Sequence, residues 1–414
     1  MYCVIPIFKE PFLHPLHKDN GLSALWVKPK DDKSFFIIQK HPDSDKVLED
    51  FKWLNEHPIL TPDKKILNHF YEFDKVTDIN YLYWDDTGKP FEKHITNNAI
   101  DFLSNKYYNV KKLNEIIPLS KHNEYCNDIV KSMGSLIFDS NDEYMSDVVK
   151  AFTSIEQNGI KVSDDICDIF DMRVKKHISN GKLYSNYNLW TTTGRPSNSF
   201  GSVNFAALPP EKRKGFIAEN DYLVEFDFDA YHLRLIADLV GYHTFGEESV
   251  HEHLAKWYEC SYEESKQRTF KLLYGGIDKE TREKVPFFDL THNYINKKWN
   301  EINTHNLVST DIYRRKLLFK NYEDLNRNKV FNYLIQALET ESNIKKILKV
   351  QDYLLNKNTK LVLYGYDSFL FDFSQQDGVE TLKDIKSILE EGKHFTKSKM
   401  GLNYGEMQDI TKRL

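Results

Sequence analysis

An α+β fold follows from three stretches of the 414-residue sequence. In residues 222–229, Val224, Phe226 and Phe228 alternate with Glu225, Asp227 and Asp229, the period of a half-buried strand. From Tyr231 the period changes: Leu233, Ile236, Ala237 and Val240 take helical spacing, with Arg234 and Asp238 as an i,i+4 pair. In residues 360–373 two apolar runs flank Gly365-Tyr-Asp-Ser368, which reads as a β-hairpin with Asp367 at its tip. Helical periods fill most of the sequence between these strands. A strand that delivers carboxylates and turns at once into a helix holds charge rigidly. The same residues also describe an acidic strand edge beside a surface helix.

Hydrophobic content of 40% with 14% aromatic residues requires a folded core and excludes a disordered chain. The length suits two or three domains. A net charge of −6 excludes a uniformly basic nucleic-acid sleeve. Local positive runs remain at residues 212–214, at 314–316, and at Arg173, Lys175, Lys176 and Lys182; each is equally the pattern of a solvated face. Cys3, Cys126, Cys167 and Cys260 stand far apart without CxxC spacing, so free thiols in a reducing compartment are expected. There is no run of eighteen apolar residues and no charged-then-apolar leader, so a soluble, untargeted protein with no membrane partner is expected.

In chain order, residues 1–145 form a region of their own. Strands are expected at 22–27 and 34–39 around a polar turn, then a helix at 47–55, a strand or helix at 65–73, and a helix at 95–108. Residues 147–162 read as a helix closed by Asn158-Gly159. A short amphipathic helix at 163–181 and a strand at 183–189 lead into the hydroxyl-rich turn that presents Arg195. Leu254 and Trp257 place His251 and His253 on a helix, where two residues two apart diverge by about 200° and do not share an ion. In residues 262–277, Lys266, Phe270 and Tyr274 stack in a stripe about 12 Å long, ended by Gly275-Gly276. A cation, a ring and a phenol in a row suit a nucleoside triphosphate; they equally suit an ordinary amphipathic face.

Together these elements resemble the family A DNA polymerases, over residues 147–414. Asn158-Gly-Ile-Lys-Val162 is similar to the family's approach to its polymerase region, Thr193-Gly-Arg195-Pro-Ser197 to its TGRxS loop, and Asn204-Phe-Ala-Ala-Leu-Pro209 to its NLQNIP segment. Residues 213–217 follow that segment. Residues 227–234 resemble the first catalytic motif DYSQIELR, residues 266–275 the fingers motif KxxxFxxxYG, and Asn332 with Gln336 the NAPIQ segment. Tyr366-Asp367-Ser368 stands where the family has His-Asp-Glu. Each motif alone is weak; seven in order are specific.

The resemblance implies a right-hand polymerase: a palm of antiparallel sheet (182–240 and 311–414), helical fingers (241–310), a vestigial thumb (146–181) and a small N-terminal α/β domain (1–145). It implies two Mg²⁺ ions, or Mn²⁺, on Asp227, Asp367 and the carbonyl of Phe228. Lys266 would serve the triphosphate and act as general acid, Phe270 would stack on the incoming base, and Tyr274 would guard the templating position. His232 and His251 would line the nucleotide site, and Arg195, Asn204, Asn332 and Gln336 would touch primer–template DNA. The implied activity is template-directed addition of deoxynucleotides to a primer 3′-hydroxyl. The alternative is a catalytically inactive palm–fingers protein that binds nucleic acid or a replication partner.

Departures from the family pattern carry their own expectations. His232 replaces a Glu that excludes ribonucleotides, Tyr262 replaces a phosphate-binding Arg one turn before Lys266, and Ser368 replaces the third-motif Glu. Asp229 is an extra carboxylate on the strand. Only residues 163–181 stand in place of a long thumb, so low processivity or a thumb-supplying partner protein is expected. The N-terminal region takes the place of a 3′–5′ exonuclease, whose first strand needs a DxE for metals. Residues 22–27 read LSALWV, so a degenerate, non-proofreading remnant or a docking domain is expected. By analogy with pared-down replicases, the enzyme is expected to be virus-encoded and to act in the host cytoplasm.

Overall fold

A computed structural model describes residues 1–10, 13–88, 115, 117–132, 142–170, 172–198, 203–319 and 324–414. The helix expected at 95–108 lies outside the described residues. The chain divides into two compact units, Met1–Thr192 with Ser197–Ile217, and Thr193–Pro196 with Ala218–Leu414. The boundary expected at 145/146 falls inside the first unit, and that unit's end at Ile217 falls inside the expected palm segment 182–240.

The first unit is built on a mixed sheet, β1 (Tyr2–Phe8), β2 (Leu22–Pro29), β3 (Phe35–Ile38), β4 (Ile59–Thr61) and β5 (Val76–Asp78), in the order β3-β2-β1-β4-β5. β1 pairs antiparallel with β2 and parallel with β4. Its sequence YCVIPIF is apolar at every position, as a strand covered on both faces must be. Alternate residues feed two cores: Cys3, Ile5 and Ile7 pack with Trp26, Ile79 and Cys126, while Val4 packs with Leu25, Val27, Leu54 and Phe73. Cys3, Cys126 and Cys260 are free thiols, and burial pushes the Cys3 thiol up to about 12.

The helix expected at 47–55 is not formed; only a 3₁₀ turn, Lys52–Glu56, is present. The segment lies along β3 instead. The amides of Leu48 and Glu49 donate to the carbonyls of Gln39 and Ile38, and Glu49 Oε2 accepts from the Ile38 amide, so pairing with a sheet edge overrides helical periodicity. Residues 65–73 begin with the helix Lys64–Asn68, capped by Asp63. The helix expected at 163–181 is two turns, Ile166–Ile169 and Met172–Lys175, parted where Phe170 turns extended and sets its ring 5.8 Å from Phe216. The strand expected at 183–189 is likewise two short strands, β7 (Lys182–Leu183) on β6 (Ile160–Val162) and β8 (Tyr187–Asn188) on β9 (Ser197–Asn198). β10 (Phe216–Ile217) completes the small sheet of β6 and β7.

The helix Glu143–Asn158 starts on its Asp142 cap and stops at Gly159, whose φ of +60° is left-handed. It belongs to the first unit because Glu156 ties it there. Glu156 Oε1 accepts from Lys65 Nζ (2.6 Å) and from the Tyr187 amide (2.6 Å), and Oε2 faces His69 Nε2 at 2.8 Å.

The second unit carries the antiparallel sheet β14 (Lys360–Tyr364), β15 (Ser368–Phe373), β11 (Tyr222–Phe228), β16 (Thr396–Gly401) and β17 (Gln408–Asp409), in that order, with β11 in the middle. β12 (Leu307–Ser309) and β13 (Lys316–Leu318) form a separate pair. The strand at 222–229 and the hairpin at 360–373 form as their patterns predict. Phe226 and Phe371, both fully buried, meet edge to face at 5.7 Å across the β11–β15 pair. Glu225, expected on the open side of its strand, is buried beside Tyr404 and Lys399. Helices Tyr231–Val240, Val250–Tyr258, Tyr262–Gly275, Pro286–His305 and Arg327–Leu354 supply the helical part. No helix among the described residues is long and apolar enough to cross a membrane.

Candidate active site

Two strand ends bring the expected carboxylates together. Asp227 is the sixth residue of β11 and lies in register with Ser368 on β15 and Lys397 on β16. The next amide, Phe228 N, donates to the Asp367 carbonyl at 2.9 Å. β11 passes into the Tyr231–Val240 helix through Ala230, whose φ is +49°, and the hairpin turns at Tyr366, whose φ is +70°. Left-handed backbone at non-glycine residues persists only where surroundings enforce it. Asn343 enforces the second: it donates to the Tyr366 carbonyl at 2.7 Å and to the Tyr364 hydroxyl at 3.1 Å, while the Arg195 guanidinium lies 3.9 Å over the Tyr366 ring.

The two aspartates line one cavity of about 310 Å³. Burial, then the neighbouring charges of Asp367 and Glu225, push Asp227 up to about 7. Asp367 is pushed upward as well, by burial and then by Glu339. Its side chain is open to water at the hairpin tip, which screens that push. Neither carboxylate has an ion-pair partner among the described residues. Two like charges side by side, Asp227 partly buried and neither in an ion pair among the described residues, fit a divalent cation, and the oxygen donors suit Mg²⁺.

Across the cavity stands the Tyr262–Gly275 helix. Ser261 and Glu264 close a capping box at its start, and Gly276 caps its end. The stripe forms as predicted: Lys266, Phe270 and Tyr274 all line the cavity. The Phe270 ring is 43% exposed and lies parallel to Tyr274 at 6.0 Å, leaving a free face. His251, on the neighbouring helix, sets its ring 6.1 Å from Phe270, and its carbonyl accepts from Ser265 Oγ. His253 turns to Glu248 instead.

His232 Nδ1 sits 2.7 Å from the Tyr274 hydroxyl, and His232 Nε2 sits 3.4 Å from Glu339 Oε2. Burial, then Glu339, push Tyr274 up to about 12, so the phenol keeps its proton and donates to Nδ1. That assigns the ring proton to Nε2, facing Glu339. Glu339 also takes Arg195: Nε lies 2.9 Å from Oε2 and Nη2 lies 3.2 Å from Oε1. Thr193 donates to Gln336 and Gln336 donates to Asn332, so these expected DNA-contacting groups share one helix face with Arg195 beside it. Asn204 belongs to the first unit, where it caps the turn Phe205–Ala207.

Two charged residues of the cavity escape the sequence pattern, Glu339 and Lys397. Glu339 stands three past Gln336 on one helix, a spacing that shares a face, so a signal existed. Lys397 gave none, because its strand reads TKSKMG and owes its place to pairing with β11.

Among the described residues, one trio of metal-type ligands lies close together, His14, His69 and Glu156 in the first unit. It is a closed ionic cluster. The Leu16 amide donates to His14 Nδ1, which leaves that ring's proton on Nε2, toward Glu156, and Lys65 already occupies the other carboxylate oxygen.

No protein-family model and no curated protein sequence matches this chain. Among solved structures, the fold is similar to the POL domain of Pol1 from M. smegmatis, determined in complex with DNA primer-template and dNTP. The TM-score is 0.68 at 13% sequence identity, covering 98% of this chain and 95% of that one. At that identity the likeness is one of fold. The chain has a right-hand polymerase fold, an α+β architecture with an antiparallel palm sheet and helical fingers.

Proposed function

We propose that this protein is a template-directed DNA polymerase that adds deoxynucleotides to a primer 3′-hydroxyl. The observation that carries the reading is the convergence of Asp227 and Asp367, neither in an ion pair among the described residues, on a cavity faced by Lys266, Phe270 and Tyr274. Asp227, Asp367 and the Phe228 carbonyl would hold two Mg²⁺ or Mn²⁺ ions, which would supply acidification of the primer hydroxyl and charge neutralisation at the leaving pyrophosphate. Lys266, exposed on its helix, binds the triphosphate and returns a proton to the leaving group. The open face of Phe270 receives the incoming base. His232, held between Tyr274 and Glu339, walls the sugar side.

The enzyme is compact and of low processivity. Segment 163–181, two short helical turns, offers little surface to grip a duplex, so a partner protein supplies the grip or the enzyme leaves its template quickly. The N-terminal region, residues 1–145, is an exonuclease-like remnant without nuclease chemistry. Its five-stranded mixed sheet supports that ancestry, and neither β1 nor β2 carries an Asp or Glu to hold a metal. The enzyme therefore does not proofread.

The test is extension of a labelled primer on a template with Mg²⁺ or Mn²⁺, with dNTPs and rNTPs in parallel. Short template-dependent products, lost in Asp367→Ala, are expected. No extension under any condition, with duplex binding retained, would leave a catalytically inactive palm–fingers binding protein.

A further inference from the structure

The cavity is lined by three full cations, Arg195, Lys266 and Lys397, each differently committed. Arg195 is locked in a two-point pair with Glu339, which is 1% exposed, and lies on the Tyr366 ring. Arg234, just behind, donates to the carbonyls of Asp229, Gly246 and Glu248 and is buried. Lys266 is exposed and is already assigned to phosphate. A triphosphate carries more charge than one ammonium matches, and Tyr262, one turn before Lys266 on the same cavity wall, offers a phenol and no charge.

Lys397 is placed to answer this. β16 sets it opposite Asp227, and its Nζ lies 2.9 Å from Asp229 Oδ1 with the side chain half exposed. Solvent reaches the lysine end of this pair and weakens it, although Asp229 itself is only 10% exposed. Asp229 also has a second cation, Arg234 Nη2 at 3.6 Å from Oδ2, so it stays compensated when Lys397 leaves. Lys397, Lys266, Tyr262, His251 and Asp227 all line the one cavity, so the two lysines face the same space.

We propose that Lys397 is a second phosphate-binding cation of this site, which moves from Asp229 to the polyphosphate chain of a bound nucleotide or of the pyrophosphate product. The assignment rests on the polymerase reading for its substrate but not for its ligand chemistry. Inorganic tripolyphosphate, titrated calorimetrically into the full-length protein, is the probe. Lys397→Gln is expected to weaken binding about tenfold and Lys397→Arg to keep it within about threefold, since Arg restores the charge. Both variants should melt with the wild type, because Lys397 is exposed. Unchanged affinity in Lys397→Gln, or no tripolyphosphate binding by the wild type, overturns the proposal. In primer extension, Lys397→Gln should raise the KM for dNTP and spare kcat. Wild type that binds tripolyphosphate through Lys397 yet extends no primer would leave this assignment standing and remove the polymerase reading.

Discussion

Glu156 in the first unit and Asp227, beside Asp367, in the second are carboxylates whose pKa values are driven in opposite directions by their surroundings. Glu156 is 1% exposed and meets Lys65, the Tyr187 amide, His69 and His14. Burial alone would raise its pKa, yet Lys65 and the two histidines hold it well below the usual carboxylate range. Asp227 has no such partners, and burial with Asp367 beside it lifts it to about 7. The first cluster is complete and stabilises its unit. In the second, neither aspartate has an ion pair among the described residues, and a carboxylate pushed upward in a cavity wall marks a candidate functional site.

The comparison predicts opposite outcomes for similar substitutions. Asp227→Ala should reduce primer extension by about a thousandfold or more, since metal-borne stabilisation is worth about 4 kcal/mol. The thermal midpoint should hold or rise, because a like-charge contact is lost; a collapse in stability would show Asp227 to be structural. Glu156→Gln should do the reverse. It strands Lys65 in a buried site, at a cost of about 3–5 kcal/mol to the first unit, read by chemical denaturation.

Acid sharpens the contrast further. Glu156 has a depressed folded pKa, so its stabilisation is present above its ordinary value of 4.5 and drains as pH falls below it. His14, which burial lowers to about 4 from 6.5, takes up its proton more readily in the unfolded chain, so it too removes stability as pH falls through that window. The first unit should therefore lose stability from about pH 6.5 downward, through His14 first and through Glu156 below about 4.5, and Glu156→Gln should flatten the part below about 4.5 in a pH series of melts. A slope unchanged in the variant would break the assignment. The smallest effect belongs to Tyr274→Phe. Loss of its bond to His232 is worth about 1 kcal/mol, so the ratio of dNTP to rNTP use should move about fivefold. No movement would detach Tyr274 from sugar choice.

What the sequence by itself determined was whatever is coded within one turn or one pair of strands. The alternation at 222–229 and the switch to helical period at Tyr231, the capped helix with Lys266, Phe270 and Tyr274 in a stripe, and the hairpin with Asp367 at its tip all form as written. Segments 47–55 and 163–181 did not follow their periods, because an edge strand and the packing of Phe170 claimed them. Only the tertiary structure decided who joins the site. β16 carries no pattern of its own, yet pairing with β11 puts Lys397 beside Asp229, and a single buried Glu339 gathers Arg195 and His232 from elsewhere in the chain. Charge compensation acts through space and over any separation along the chain, so local periodicity reveals which carboxylates are placed but not which are left unpaired.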